Sequence, residues 1–379
     1  METKNMQEVV ENKIKAKLAR GYTNVCTATE RMMAEGKIAK DFIFEVGTER
    51  KGVETTINFL PDNIGKVTAN FKMSKEEENF LIHPHAIRQV TEKLKIPTTY
   101  LTTLLYGSQE WQQTLGYEIL NTHNEWTDRN KVLVRAVGNE VRAFLSDQYR
   151  RLNSEMIFGA HIDEIYKNGG QLSDGWMDDT RVMVESLLPA PIQVQTQLNG
   201  VIFLAFGTKM VTSDYGDGAL DLRSFVLQGV CLNGMVRESV LRSVHLGAKL
   251  PDNLALSQKT YELDSMTTAS AIRDLTKNLY SSDVIKTRML EIKAASDLVM
   301  DPVRELKQLQ GLGKLLKGET DEIGQLLMRN NPEDGVQGES TLWKLTQGIT
   351  SYANRESVSE RRKMELQEIA GNLFEKIKS

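Results

Sequence analysis

The residues best suited to chemistry in this chain are arginines. Arg135 and Arg142 flank Val137-Gly138-Asn139-Glu140, a two-residue turn in which Gly and Asn tolerate positive φ. A hairpin over 132–146 in simple register sets Arg135 opposite Arg142, and Leu133 opposite Phe144, on one face. Val132, Val134, Ala136, Val141, Ala143 and Leu145 make the other face, which is wholly apolar and must meet a core. Like charges directly opposite cost stability unless an anion lies between them. Two anions fit. A carboxylate of the chain itself, Glu140 for example, makes a structural charge network. A phosphate backbone makes a binding site, with Phe144 or Tyr149 to stack on a base. Arg150 and Arg151 follow the hairpin, and Lys209 and Arg223 are neighbouring cations on later strands.

Other chemistries find less support. Asp214, Asp217 and Asp221 in a Gly-containing stretch could hold a hard cation, but their spacing does not match an EF-hand frame, and a solvated turn is expected. Gly311-Leu-Gly-Lys314 is followed by Leu315 rather than the hydroxyl of a phosphate loop, so these glycines read as a helix break. Neither a Gly-x-Ser-x-Gly elbow nor a His-Glu-x-x-His helix occurs. Cys26 and Cys231 stand far apart, which argues against a disulfide framework or structural zinc. His83-Pro84-His85 reads as a helix start. The expectation is therefore a protein that is not an enzyme, with no catalytic residue, metal or cofactor.

Composition frames the arginines. The 379 residues carry 47 Lys+Arg against 51 Asp+Glu, a formal charge of −4, with 40% hydrophobic and 26% charged residues. That describes a folded chain with room for two or three domains, and it excludes indiscriminate sticking to nucleic acid. The charge is uneven, because from position 129 to 151 six basic residues stand against two acidic ones. No apolar run is long enough to span a bilayer, and the first residues lack a signal-peptide core, so a cytoplasmic location without membrane is expected.

The elements that must position these residues follow from periodicity. Val10, Ile14 and Leu18 mark an N-terminal helix, and extended runs are expected at 41–47, 53–60 and 66–72. Positions 84–126 read as short helices. After the hairpin, a helix from Ser154 to Lys167 is capped by Asn153 and stopped at Gly169-Gly170, with Phe158, Ile162, Ile165 and Tyr166 as its apolar stripe. An acidic loop with Asp174, Asp178 and Asp179 should lead to strands at 181–188, 201–212, 222–230 and 239–245. Beyond Pro251 the chain reads as helical, with apolar faces at Leu306, Leu309, Leu312 and Leu316 and at Leu366–Ile377, and a loop at 330–338. The expected class is α+β. A central, mostly antiparallel sheet with a basic hairpin and packed helix precedes a helical C-terminal region. The expected divisions are 1–83, 84–250 and 251–379.

Arg142-Ala-Phe-Leu-Ser-Asp-Gln-Tyr-Arg-Arg-Leu-Asn153 resembles the phage- and plasmid-borne family catalogued as domain of unknown function 932. Val182–Leu188, Asp214–Leu220, Val230-Cys-Leu-Asn-Gly-Met-Val-Arg237 and Leu342–Ala353 match it in order. Members usually carry Arg where this chain has Gln148. The resemblance covers roughly 84–354 and implies a mobile-element setting. The hairpin, helix and strands also resemble, distantly, the core of Rad52-like single-strand annealing proteins. That likeness implies a homo-oligomer that binds single-stranded DNA for recombination or replication, without nucleotide hydrolysis. Arg135, Arg142, Arg150, Arg151, Lys209 and Arg223 would contact phosphate, Phe144 and Tyr149 would stack, and the C-terminal helices would mediate self-association. The alternative is an interaction or assembly factor, for counter-defence or host takeover, that binds no DNA.

Overall fold

The computed structural model describes residues 3–45, 55–61, 66–73, 76–125, 131–146, 149, 152–243, 258–331 and 335–377. Helix α1 (Thr3–Ile38) passes directly into strand β1 (Ala39–Glu45), which belongs to the first of two six-stranded sheets. That sheet also holds β2 (Thr55–Pro61), β3 (Val67–Met73), β4 (Glu76–Ile82), β5 (Lys131–Val137) and β6 (Glu140–Ser146) in the order β1-β5-β6-β4-β3-β2. Neighbours are antiparallel except β4 and β6, whose short pairing is parallel.

The alternation of these strands explains the sheet. Val67, Ala69 and Phe71 of β3 are buried while Thr68, Asn70 and Lys72 are not, and Ile57 and Phe59 of β2 follow the same period of two. Phe44 of β1 and Phe71 of β3 approach to 5.0 Å between ring centroids. Four strand steps separate β1 from β3, about 19 Å in a flat sheet. The sheet is therefore tightly curled around its aromatic core. Helices α2 (Pro84–Lys93), α3 (Thr98–Leu105) and α4 (Glu110–Glu125) close that core with Ile87, Leu101 and Leu120. Helix α4 also covers the edge strand β2. The Asn121 amide accepts from Phe59 N at 2.8 Å and donates to Phe59 O at 2.9 Å, and Asn124 donates to Ile57 O.

The second sheet comprises β7 (Gln171–Met177), β8 (Val182–Leu187), β9 (Ile192–Gln195), β10 (Val201–Thr212), β11 (Leu220–Gln228) and β12 (Asn233–Ser243). Its order is β12-β11-β10-β8-β7, with β9 pairing the first half of β10, and every pairing is antiparallel. The continuous apolar run of β10 reflects burial on both faces. Phe203 and Ala205 meet α1, while Leu204 and Phe206 meet the C-terminal helices. Along α1 the buried positions are Val10, Ile14, Leu18, Gly21, Val25, Ala28 and Met32, a stripe of threes and fours. Gly21 belongs to it because a Cβ there would lie 2.1 Å from the Ser173 backbone of β7.

Helix α5 (Ser154–Lys167) runs as its sequence predicts, with the Asn153 side chain accepting from Met156 N. His83 and Pro84 likewise start α2. The remaining helices are α6 (Gln258–Leu279), α7 (Ser282–Asp297), α8 (Pro302–Gly311), α9 (Lys317–Arg329), α10 (Leu342–Ala353) and α11 (Glu360–Asn372), ending in a 3-10 turn, Leu373–Ile377. The chain is thus α+β with a helical C-terminal region. The first sheet spans the expected boundary at 83/84, because β4 pairs β6.

Several elements differ from their expected form. The acidic loop proves to be mainly strand β7, whose Asp174 carboxylate accepts from Asn24 of α1 and from Gly175 N. Strand β4 runs through Glu76–Asn79, an acidic stretch with no apolar signal. Leu312 and Leu316 are 71% and 67% exposed, because Gly313 at φ 69° ends the turn after α8 and takes them off the apolar face.

Candidate functional site: a charged cleft between the two sheets

The β5–β6 hairpin carries an irregularity that moves its arginines. Val137 pairs Glu140 and Ala136 pairs Val141, but Arg135 then pairs Ala143 and Val134 pairs Phe144. Arg142 is the extra residue, so Arg135 and Arg142 do not face each other. A bulge of this kind re-aims a side chain, and each arginine reaches a different acid.

Asp41 of β1 stands directly across from Arg135. Arg135 donates from Nε to Oδ1 at 2.8 Å and from Nη2 to Oδ2 at 3.0 Å, while Nη1 donates to the Asp214 carbonyl at 2.7 Å. Burial by itself would lower the pKa of this guanidinium, but the Asp41 carboxylate more than reverses that and holds it charged. Arg142 donates from Nη1 to Glu35 Oε2 at 2.6 Å, and its Nε lies 3.4 Å from Glu140 Oε2. Its guanidinium lies 5.8 Å from the centre of the Tyr215 ring.

The acids extend the lattice. Glu35 also meets Arg31 at 2.9 Å, Arg31 meets Asp179 at 2.6 Å, and Asp179 lies 3.4 Å from His83 Nε2. Farther along, Arg181 and Arg361 both hold Asp217, at 3.0 and 2.7 Å, and Arg361 also holds Asp178. Burial pushes the Asp217 carboxyl up, but the Thr180 hydroxyl and the two arginines bring it below its ordinary value. The cations and carboxylates therefore alternate along the seam where α1, the hairpin, the β7–β8 turn and the β10–β11 loop meet.

Within this seam lies a cleft of about 530 Å³, walled by α1, the starts of α5 and α6, β7 and the β10–β11 loop. Met32, Met33, Met156 and Met177 line it together with Ser154, Thr180, Ser213 and Ser265. Among the described residues, five carboxylates (Glu35, Asp41, Glu155, Asp214 and Glu262) share the lining with three cations, Lys37, Arg135 and Arg181. The β10–β11 loop is fixed from within. Ser213 Oγ accepts from Tyr215 N and Asp217 N, Tyr149 donates its hydroxyl to Ser213 O, and Ser154 donates to Asp214 Oδ1 at 2.6 Å.

The residues expected to bind nucleic acid fall into separate places. Arg135, Arg142 and Tyr149 converge on the β10–β11 loop. Phe144 is 3% exposed and packs 6.2 Å from Phe71 in the first sheet, so its ring is not available to a base. Tyr149 is equally unsuited to stacking, because it is buried with its hydroxyl engaged. Lys209 and Arg223 are cross-strand neighbours that line a smaller pocket of about 190 Å³ beside α11. Lys209, 4% exposed, donates to Gln367 Oε1 at 2.7 Å and meets Glu185, while Arg223 meets Asp221 and Glu368. Arg150 and Arg151 lie outside the described residues.

Asp214, Asp217 and Asp221 do not form a solvated turn. Each takes a different donor, Ser154, Arg181 with Arg361, and Arg223 respectively. Among the described residues no group of three His, Cys, Asp or Glu side chains could hold a metal ion. No helix among them is long and apolar enough to cross a membrane.

Sequence reasoning missed the acids that pair with the hairpin arginines from outside the hairpin, Glu35 and Asp41. It also missed Glu185, which is buried between Lys17 at 3.1 Å and Lys209 at 3.4 Å. The available signal was a lone carboxylate within the otherwise uncharged strand Val182–Leu187. Compared with known proteins, the chain matches no family model, no curated protein and no solved structure.

Proposed function

We propose that this chain is a binding protein without catalytic activity, an interaction factor that engages a protein partner at the inter-sheet cleft rather than a single-strand annealing factor. One observation carries the reading: both hairpin arginines are already neutralised by carboxylates of the same chain, Asp41 for Arg135 and Glu35 for Arg142. A phosphate backbone would have to displace those acids, and separating a buried pair costs about 3–5 kcal/mol. Among the described residues that line the cleft beside them, carboxylates outnumber cations, which disfavours a polyanion. The histidine nearest to hydroxyls, His161, is fully buried in a core hydrogen-bonded row that runs through Thr208 and Ser186 to Tyr280.

Filter binding of a labelled single strand over a salt series tests this reading. No retention is expected even at low salt. Retention that falls steeply with salt, with a slope reduced by about one on Arg150→Ala or Arg151→Ala, would overturn it in favour of DNA binding.

A further inference from the structure

We infer that the corner between α3 and α4 is a self-association surface, on which a second copy of this chain docks through Tyr100, Tyr106 and Trp111. These three aromatics are 53%, 45% and 63% exposed. Among the described residues, Tyr22 and Tyr166 are the only other tyrosines or tryptophans so open to solvent. Their outward aim follows from what α3 buries. Leu101 and Leu105 enter the aromatic core of the first sheet, and Tyr100, Thr103 and Tyr106 recur at threes on the opposite side. Gln113 donates to Gly107 O at 2.9 Å, and Gln112 accepts from Gln109 N at 3.2 Å. Those bonds fold the first turn of α4, which carries Trp111, back against the end of α3.

The chemistry of this corner selects its partner. The outward side of a surface helix is ordinarily charged. Here Glu110 is the one charged residue from Ile96 to Tyr117, in a chain that is 26% charged. Thr99, Thr103, Ser108, Gln109 and Thr114 are exposed around the rings instead. Depletion of charge with enrichment of Tyr and Trp is the composition of an interface core. A neutral patch meets its own copy without like-charge repulsion. Hydroxyl and amide groups both donate and accept, so two identical patches can satisfy each other across a two-fold axis. The C-terminal helices lack this property. Leu312 and Leu316 are exposed there, but they stand beside exposed Lys314 and Lys317, so an isologous pairing would bring cation towards cation.

The area fits a pairing of standard size. A Tyr or Trp side chain buries about 150–250 Å² in full, so the exposed parts of these three rings offer roughly 350 Å². A standard interface takes about 800 Å² from each partner, as an apolar core within a polar rim. The rings supply that core, and the threonine and glutamine side chains around them supply the rim. None of these residues lines the inter-sheet cleft, so the surface is independent of what the cleft binds.

Sedimentation of the full chain from about 1 to 200 μM tests the proposal. Twice the chain mass is expected at the upper end. Trp111→Ala and Tyr100→Ala should each weaken association about tenfold or more, with melting temperatures unchanged because both side chains are exposed. Leu312→Ala, in the C-terminal region, should leave association within about twofold of the parent. Thr103→Lys and Thr103→Glu should each give monomers, and an equimolar mixture of the two should regain the dimer. The dissociation constant should move less than about threefold between about 0.05 and 0.5 M salt, since the paired patches are almost uncharged. A chain that stays monomeric throughout would overturn the inference and leave the patch to a different protein. So would a dimer unmoved by Trp111→Ala and Tyr100→Ala, a steep salt dependence, or a Thr103 mixture that stays monomeric.

Discussion

Asp41 and Arg135 face each other across the β1–β5 ladder and share two hydrogen bonds, at 2.8 and 3.0 Å, although 94 residues separate them in the chain. Their side chains are only 21% and 12% exposed. Removing one partner leaves a poorly solvated charge behind. Asp41→Ala should therefore lower stability by about 3–5 kcal/mol. The double variant Asp41→Leu/Arg135→Met should recover much of that loss, since a well-packed apolar pair avoids the desolvation cost. Urea midpoints of parent, single and double variants decide it, and additive losses would show that the pair is not coupled.

The acid response of the fold should trace to His161. Burial alone lowers its pKa from an ordinary 6.5 to about 3. The unfolded chain takes up a proton that the folded chain refuses, so this contribution is complete above pH 6.5 and is lost as pH falls towards 3. The slope should be about 1.4 kcal/mol per pH unit inside that window. His161→Gln offers hydrogen bonds to Thr276 and Thr208 without the titration. Denaturation from pH 7 to 4 should show a visibly flatter decline for the variant.

Glu185 titrates lower. Burial would raise its carboxyl, but Lys17 and Lys209 bring it from 4.5 to about 2. Its stabilisation is present above pH 4.5 and lost as pH falls towards 2. Glu185→Gln leaves two ammoniums around a neutral amide and should cost about 3–5 kcal/mol at neutral pH. Adding Lys209→Met should restore part of it. Equilibrium unfolding at pH 7 measures both, and a Glu185→Gln chain as stable as the parent would contradict the buried triad.

Two glycines of α1 should answer the same substitution with opposite signs. Gly21→Ala forces a methyl to within 2.1 Å of the Ser173 backbone and should destabilise by about 3 kcal/mol, whatever helix propensity gains. Gly36→Ala meets nothing within 4 Å and should stabilise by about 0.5–1 kcal/mol. Melting temperatures of the two variants form the comparison.

These relationships explain what the sequence could reveal. Local signals were legible: Gly138 takes φ 61° in the hairpin turn, Asn153 caps α5, and the apolar run of β10 lies in a core. Strand β7 was hidden because its one acid, Asp174, is satisfied by Asn24, distant in sequence. The hairpin register failed at one residue. The reach of Arg142 to Glu35, 107 positions away, matches the bulge, and no local pattern encodes such a partner. The excess positive charge at 129–151 was real as a count. Two of its described cations, Arg135 and Arg142, are paired with acids contributed from β1 and α1.

Helix α1 ends at Ile38 and β1 begins at Ala39, with no residue between them. The helix is bolted along the second sheet, while the strand is a rail of the first. The junction therefore acts as a rigid strut, transmitting torque between the two halves instead of absorbing it. Rotation of one sheet against the other at this point must therefore bend the helix or the strand itself, because no linker is present to absorb it.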